Sequence, residues 1–480
     1  MKFNKQSATK KTINLAGGEA YIESDKLHLV SILLTSMVQD QHYRKSDETL
    51  DELVELIKNI TDKKFVAKSA IYARTKFGMR SITHAVAGEI AKFVKGEDWT
   101  KSFFDKIVYR PDDMTEIMSY YINKYGKRPI PHCLRKGFAA ALRRLKDYDL
   151  AKYRKDNADV KMVDIINLVR PISTPSITKL IKGKLKLTGP EGKTATWEAS
   201  LTKVGQKAET EEEKETLKAD VWEKLLKNKK LGYFALLRNL RNIIEQAPEM
   251  VDEACKQLVN EKNIKNSLVL PFRFTTAIKE IEKISGRNSR KVMDAIDEAV
   301  DISLSNVPEF AGETLVVVDG SGSMEGKPLE IASLFAAMLV KSSSADFMTF
   351  SGGAEYVNLK ANDSTLSVAK KITDMAEGGG TNFHAIFEEA NQPYDRIIIL
   401  SDMQGWIGYD TPKAEFTDYK KRTGADPKIY SVDLAGYGTL QFPEKNVFCL
   451  AGFSEKIFDL MKLMEQDRNV LIAEIEKIEL

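Results

Sequence analysis

The hydrophobic rhythm of the chain changes once, near Val307 and Pro308, and that change decides the architecture. Before it, from about residue 24 to about 306, apolar residues recur at three- and four-residue steps. In DETLDELVELIKNI, for example, Leu50, Leu53, Val54, Ile57 and Ile60 line one face of a helix. Blocks such as ITHAVAGEIAKFV, CLRKGFAAALRRL and VMDAIDEAVDISL continue the pattern, with breaks at Gly78 and at Arg110-Pro111-Asp112-Asp113 that carry helix-ending and helix-starting chemistry. So many consecutive amphipathic helices are expected to stack in pairs into a solenoid or ring, with repeats too degenerate to show a period. The interruption KGKLKLTGPEGKTATWE, residues 182–198, reads as a β-hairpin, and the acidic run at residues 209–215 as a solvated helix start.

After Pro308 short apolar runs (LVVV, DFMTF, RIIIL, IYSVDL and VFCLA) alternate with helical patterns such as LEIASLFAAMLVKSS. Alternation of this kind predicts a parallel sheet covered by helices, with ligands at the carboxyl ends of its strands. The fold class is therefore multidomain, α followed by α/β, with units at residues 1–306 and 307–480.

No apolar run reaches the ~18–20 residues of a membrane span, and MKFNKQSATKKTINLAGG lacks a signal-peptide core, so a cytoplasmic protein without membrane contact is expected. Cys133, Cys255 and Cys449 lie far apart, which argues for reduced, buried thiols rather than disulfides or a zinc site. The five histidines are scattered, and neither G-x-S-x-G nor H-E-x-x-H occurs. No enzyme is expected.

The loop in LVVVDGSGSMEGKP, residues 315–328, admits three uses: to hold a phosphate, to hold a metal, or to turn the chain. A P-loop fails because Gly326-Lys327 is misplaced and Pro328 stands where a hydroxyl is needed; G-x-G-x-x-G fails at Glu325. Asp319, Ser321 and Ser323 instead alternate oxygen ligands along the loop, a plausible partial shell for Mg2+ or another divalent cation. Thr381, after Gly378-Gly379-Gly380, and Asp402, after RIIIL, fall in turns expected on the same sheet edge. The combination resembles the von Willebrand factor A domain with its metal-ion-dependent adhesion site. The resemblance implies that the serines bind metal directly, that the threonine binds directly or through water, that the aspartates often act through water, and that a partner supplies an oxygen to an open position.

Residues 125–193 hold 17 Lys and Arg against six Asp and Glu, a local balance of +11 in a chain whose net charge is +3. On the helix CLRKGFAAALRRL, Leu134, Phe138, Ala141 and Leu145 share one face, and Lys136, Arg143 and Arg144 the opposite one. Lys152, Tyr153, Arg154 and Lys155 continue the basic surface, a tyrosine among cations suited to an unpaired base and its phosphates, and Arg170 follows. In GYFALLRNLRNI the stripe Phe234, Leu237, Leu240 and Ile244 reads as core, so Arg238 and Arg241 are expected to frame packing rather than bind RNA.

The helical half resembles the TROVE module of the Ro autoantigen family, through TWE at residues 196–198, Trp222, GYFALLRNLRNI, PFRFTTAIKEI and the early SILLTSMVQDQHYRKSDETLDELVELI. That resemblance implies a ring of HEAT-like helical repeats followed by a von Willebrand A domain. It also implies binding of small Y-like noncoding RNA on the outside and of single-stranded 3′ ends of misfolded RNA through the hole. A 3′-to-5′ exoribonuclease partner is implied as well, and a monomer is expected. Where some members place a histidine before the proline of Asn-Leu-Val-Arg-Pro, this chain has Leu168. The competing expectation is a metal-dependent protein-binding adaptor whose helices hold a peptide.

Overall fold

The computed structural model describes residues 11–22, 24–35, 46–127, 129–153, 158–185, 197–360, 362–408, 411–437, 439–442, 447–451, 457–458, 461–462 and 470–480. The described residues open with two strands, β1 (Lys11–Ile13) and β2 (Glu19–Ile22). Helices then follow one another: α1 (Asp25–Thr35), α2 (Ser46–Asn59), α3 (Lys63–Lys76), α4 (Ser81–Phe93), α5 (Thr100–Lys106), α6 (Pro111–Tyr125), α7 (His132–Arg144), α8 (Asp147–Lys152), α9 (Met162–Val169) and α10 (Pro175–Ile181). A second group comprises α11 (Trp197–Lys207), α12 (Glu211–Lys227), α13 (Tyr233–Gln246), α14 (Val251–Leu258), α15 (Glu261–Ser267), α16 (Thr275–Ile281) and α17 (Arg287–Ser303). Most of the hairpin expected at residues 182–198 lies outside the described residues, and Trp197 and Glu198 open α11.

Amphipathic spacing explains these helices. In α2 Leu53, Val54, Leu56 and Ile57 are buried, with Ile60 just beyond its end, and in α7 Leu134, Phe138, Ala141 and Leu142 are buried while Lys136, Arg143 and Arg144 stay outside. Helices α12 to α17 enclose a core of their own around Trp222, Leu240, Phe274 and Ile296. Thr210 caps α12, its hydroxyl accepting from Glu213 N, so the acidic run does begin a helix.

A buried charge cluster ties three early helices together. Asp113, in the first turn of α6, is fully buried and accepts from Arg74 Nη2 of α3 at 2.9 Å and from the backbone N–H groups of Tyr109 and Arg110 at 2.9 and 2.8 Å. His84 Nε2 of α4 lies 2.9 Å from its Oδ1. Burial alone would raise this carboxyl, but the His84 contact and the Arg74 charge outweigh it and hold the pKa at about 2. Tyr109 is thereby fixed at the α5–α6 corner.

The second half builds a six-stranded sheet from β3 (Thr314–Asp319), β4 (Asp346–Phe350), β5 (Ala354–Tyr356), β6 (Arg396–Ser401), β7 (Lys428–Asp433) and β9 (Val447–Ala451), in the order β5-β4-β3-β6-β7-β9. Only β5 runs antiparallel to its neighbour. Side chains of β3 alternate between two cores. Val316 and Val318 join the helices α18 (Lys327–Ser343) and α19 (Thr365–Asp374), and Leu315 and Val317 join α20 (Phe383–Glu389) and α21 (Lys413–Thr423). Pro328 sits in the first turn of α18, where a missing N–H costs little. The fold class read from the sequence, helical repeats followed by a doubly wound, mostly parallel sheet, holds.

Both ends of the helical run rest on the sheet unit. At the start, β2 pairs with β8 (Thr439–Leu440) to make a three-stranded antiparallel sheet, and Lys106 donates to Glu479 O at 2.9 Å beyond the last helix, Val470–Glu476. At the other end Phe272 packs on Phe335 of α18, ring centroids 4.6 Å apart, and Lys279 pairs with Glu330 at 2.6 Å. The two helix groups meet through Lys152 of α8 and Glu198 of α11, 2.8 Å apart. Both helix groups are thus anchored on the sheet unit, and this ion pair links one group to the other. Replacing Asp113 with Ala strands Arg74 without its buried partner, and urea unfolding should show a loss of about 3–5 kcal/mol.

Candidate metal centre and nucleic-acid surface

Strands β3 and β6 are parallel neighbours, and from β3 the chain turns first toward β4 and later toward β6, so the carboxyl ends of β3 and β6 flank the point where strand order reverses. Asp319 ends β3 and Asp402 follows β6. Asp319, Ser321, Thr381 and Asp402 are 3% exposed or less, and Ser323 is 9% exposed. Asp319 Oδ1 accepts from Ser321 N at 2.9 Å and its Oδ2 from Ser401 Oγ at 2.5 Å, while the hydroxyls of Ser321 and Ser323 are 3.3 Å apart. The glycine turn before Thr381 is stitched to this loop by Gly378 N donating to Gly320 O at 3.1 Å and Gly322 N donating to Gly379 O at 3.3 Å. Thr381 is held in turn by the loop after Asp402, its carbonyl accepting from Trp406 N at 3.1 Å. The fold therefore brings all five sequence-predicted residues to one sheet edge.

The electrostatics of this edge suit a cation. Asp402 Oδ1 accepts from Gln404 N at 3.1 Å, but Asp402 Oδ2 is buried with no hydrogen-bond partner among the described residues. Burial, with the Asp319 charge adding to it, pushes Asp402 up to about 8, and burial raises Asp319 as well. Two buried carboxylates, one orphaned oxygen and two adjacent hydroxyls form a donor set that a hard divalent cation would neutralise. Among the described residues no group of three or more His, Cys, Asp or Glu is placed to hold a metal. A cation here would depend on the serine and threonine oxygens. Met403, next to Asp402, is a buried non-glycine residue at φ +59°, a strained backbone of the kind found at functional turns. His384, at the start of α20, pairs its Nδ1 with Glu415 Oε2 at 3.0 Å.

The basic surface divides. Lys136, Arg143 and Arg170 are exposed, Arg170 at the left-handed end of α9. Arg144 is engaged in packing, with Nε donating to Asp105 Oδ1 at 2.8 Å and Nη2 to Asp105 O at 2.5 Å. Lys152 pairs with Glu198 and donates to Tyr148 Oη at 3.1 Å, and the ring of half-buried Tyr153 lies under the Arg110 guanidinium, 4.5 Å away. Arg154 and Lys155 lie outside the described residues.

A second basic and aromatic surface escaped the sequence reading. A cavity of about 1100 Å³ opens between the α5–α6 corner and helices α13 and α16, lined by Tyr109, Phe234, Arg238, Phe272 and Arg273 among others. Tyr109 is 61% exposed and Phe234 40% exposed. Phe234 is therefore not part of the core stripe expected for GYFALLRNLRNI. Leu236, Leu237, Leu240, Ile243 and Ile244 fill the core, and Arg238 is exposed on the cavity wall. Arg241 pairs with Glu245 and Glu280 at 2.9 and 3.0 Å, while Asn239 Nδ2 donates to Ala235 O and Asn242 Nδ2 to Asn239 Oδ1. The overlooked signal was an aromatic at each cavity edge outside the buried stripe: Tyr109 before a helix-starting proline, and Phe234 one step off the leucine face.

A model of the TROVE domain matches residues 19–216 and 183–309. The chain belongs to the TROVE domain family. The TROVE chain is 21% identical over 350 residues to "Telomerase protein component 1" of Mus musculus, covering 55% of this chain and 13% of that protein. It is 23% identical over 156 residues to "RNA-binding protein RO60" of Deinococcus radiodurans, covering 30% of this chain and 29% of that one. The TROVE chain thus spans less than a third of either curated relative in these alignments. The crystal structure of the Deinococcus radiodurans RO (RSR) protein has the same fold, with a TM-score of 0.59 and 16% identity over 90% of this chain and 97% of that one. No helix among the described residues is long and apolar enough to cross a membrane.

Asp402 supplies a test that needs no metal. Because its folded pKa lies above the ordinary 3.8, its contribution to stability is complete below about pH 4 and is lost as pH rises through about 8. In chelator, Asp402→Asn should remove part of that loss and raise the melting temperature at pH 8 but not at pH 4, by about 2–4 °C for each kcal/mol recovered.

Proposed function

We propose that this TROVE chain is a Ro-type RNA-binding scaffold that takes up unpaired RNA in the cavity between the α5–α6 corner and α13, and structured RNA on its outer basic face. The observation that carries this reading is the pairing of aromatic faces with arginines around an opening of about 1100 Å³: Tyr109 and Phe234 to stack bases, Arg238 and Arg273 to hold phosphates. Stacking tolerates any base, because every base presents a π-face. On the outside, Lys136, Arg143 and Arg170 stand free of the ion pairs that occupy Arg144 and Lys152, and they are the residues assigned to a small Y-like noncoding RNA. The name of the Deinococcus relative, an RNA-binding protein, agrees with this reading.

The cargo is then the single-stranded 3′ end of misfolded RNA, and the role is RNA quality control or processing in the cytoplasm, with a 3′-to-5′ exoribonuclease as protein partner. The scaffold itself is not catalytic. Mg2+ or another divalent cation is held by Asp319, Ser321, Ser323, Thr381 and Asp402, where it offers an open coordination position to an oxygen of a partner. The orphaned Asp402 Oδ2 is what favours that assignment.

Fluorescence anisotropy with a labelled unstructured RNA tests the cavity. Tyr109→Ala and Phe234→Ala should each cost about 1–3 kcal/mol of affinity, while Lys136→Glu combined with Arg143→Glu should weaken binding of a hairpin RNA instead. Equal affinity of wild type and the Tyr109→Ala, Phe234→Ala double variant would remove the cavity from the reading. For the cation, calorimetry with Mg2+ should show binding to the wild type and none to Asp319→Ala, whose circular dichroism stays unchanged.

A further inference from the structure

The strand pair that opens the described chain is docked on the loop that carries Asp402. Leu15 N donates to Gln404 Oε1 at 2.8 Å and Asn14 Nδ2 to Gly405 O at 2.5 Å. Asn14 Oδ1 accepts from Gly18 N and Ala16 N, closing the turn between β1 and β2 around that contact. A Cβ on Gly18 would lie 2.0 Å from Gly405 O, so the turn and the loop meet backbone to backbone. Ile13 and Leu15 are 69% and 51% exposed, so at this end polar contacts rather than apolar burial seat the hairpin.

Gln404 is the shared part. It is fully buried, and its side chain and backbone N–H are all engaged: Oε1 takes the Leu15 amide, Nε2 donates to Asp402 O at 3.2 Å and Thr439 Oγ1 at 2.8 Å, and its backbone N–H donates to Asp402 Oδ1. One residue therefore holds at once the candidate metal carboxylate, through its backbone N–H, and the strand β8 that receives β2 and the hairpin that leads into α1, through its side chain. The strained turn at Met403 leaves this loop little other freedom, since its carbonyl is also taken by Gln441 Nε2 at 3.1 Å.

We propose that Gln404 is a positioning residue that couples the hairpin of residues 11–22 to the cation site, so that cation binding and hairpin docking stabilise each other. The inference rests on the cation assignment made above. A cation that fixes Asp402 fixes the Gln404 backbone and presents Gln404 Oε1 and Gly405 O to the hairpin. A seated hairpin pins Gln404, and with it Asp402, in return. Linkage requires the two effects to be equal in free energy. Because β2 leads into α1 and pairs with β8, the coupling makes docking of the start of the helical run on the sheet unit responsive to the divalent ion.

The experiment uses the full chain and Mg2+ itself. Hydrogen exchange read at Leu15 and Gly18 should slow on Mg2+ saturation by about 5-fold or more, and Asn14→Ala should weaken Mg2+ binding by a similar factor, within the ~5–150-fold range usual for coupled sites. Gly18→Ala, which unseats the hairpin by collision, should do the same, whereas Lys11→Ala, on the hairpin's solvent side, should not. Leu15 and Gly18 exchange that ignores bound Mg2+, or unchanged Mg2+ affinity in a Gly18→Ala protein whose hairpin exchanges freely, would overturn the coupling while leaving the cation site standing. A wild-type chain that binds no Mg2+ overturns the cation assignment and the coupling together.

Discussion

The parallel pairing of β3 with β6 is the constraint on which the rest of the sheet unit depends. Its register sets Val318 beside Leu400, so Asp319 and Ser401 end their strands side by side and Asp402 enters the next turn at the same edge. A one-residue slip would send these side chains to the opposite faces of the sheet. Burial of both faces of β3 forbids that slip, because Val316 and Val318 serve one core and Leu315 and Val317 the other. The apolar strands therefore determine where two unfavourably buried carboxylates sit.

The helical half solves a comparable problem without an external ion. Asp113 is as buried as Asp319, yet Arg74, His84 and two backbone amides surround it, and its pKa falls to about 2 instead of rising. One carboxylate is satisfied internally and builds the corner that presents Tyr109. The other pair keeps an oxygen, Asp402 Oδ2, with no hydrogen-bond partner among the described residues. The contrast separates a charge cluster satisfied within the fold from a carboxylate pair that is not.

Much of this was legible in the linear sequence. The helical period, the alternation after Pro308 and the five oxygen-bearing residues of the loops are local patterns, and each led to the right element. The basic count in residues 125–193 located a charged surface but not its free members: Arg144 and Lys152 look the same in sequence as Arg143 and Lys136, and only the positions of Asp105 and Glu198 distinguish them. Phe234 was misassigned for a related reason. An amphipathic pattern says which arc of a helix is apolar, but a residue at the edge of that arc faces core or cavity according to where the neighbouring helices run.

The sequence by itself determined the two kinds of secondary structure, the order in which they occur and the oxygen-bearing side chains of the loop after β3, because each depends on residues close together in the chain. Only the tertiary structure decided that Tyr109 and Phe234 share one cavity, that Asp402 keeps a free oxygen, and that residues 11–22, which the sequence assigns to the helical unit, pair with β8 and bond Gln404. Those facts join residues distant in the chain, and they follow from strand register and from the packing of helices on one another, which no local period records.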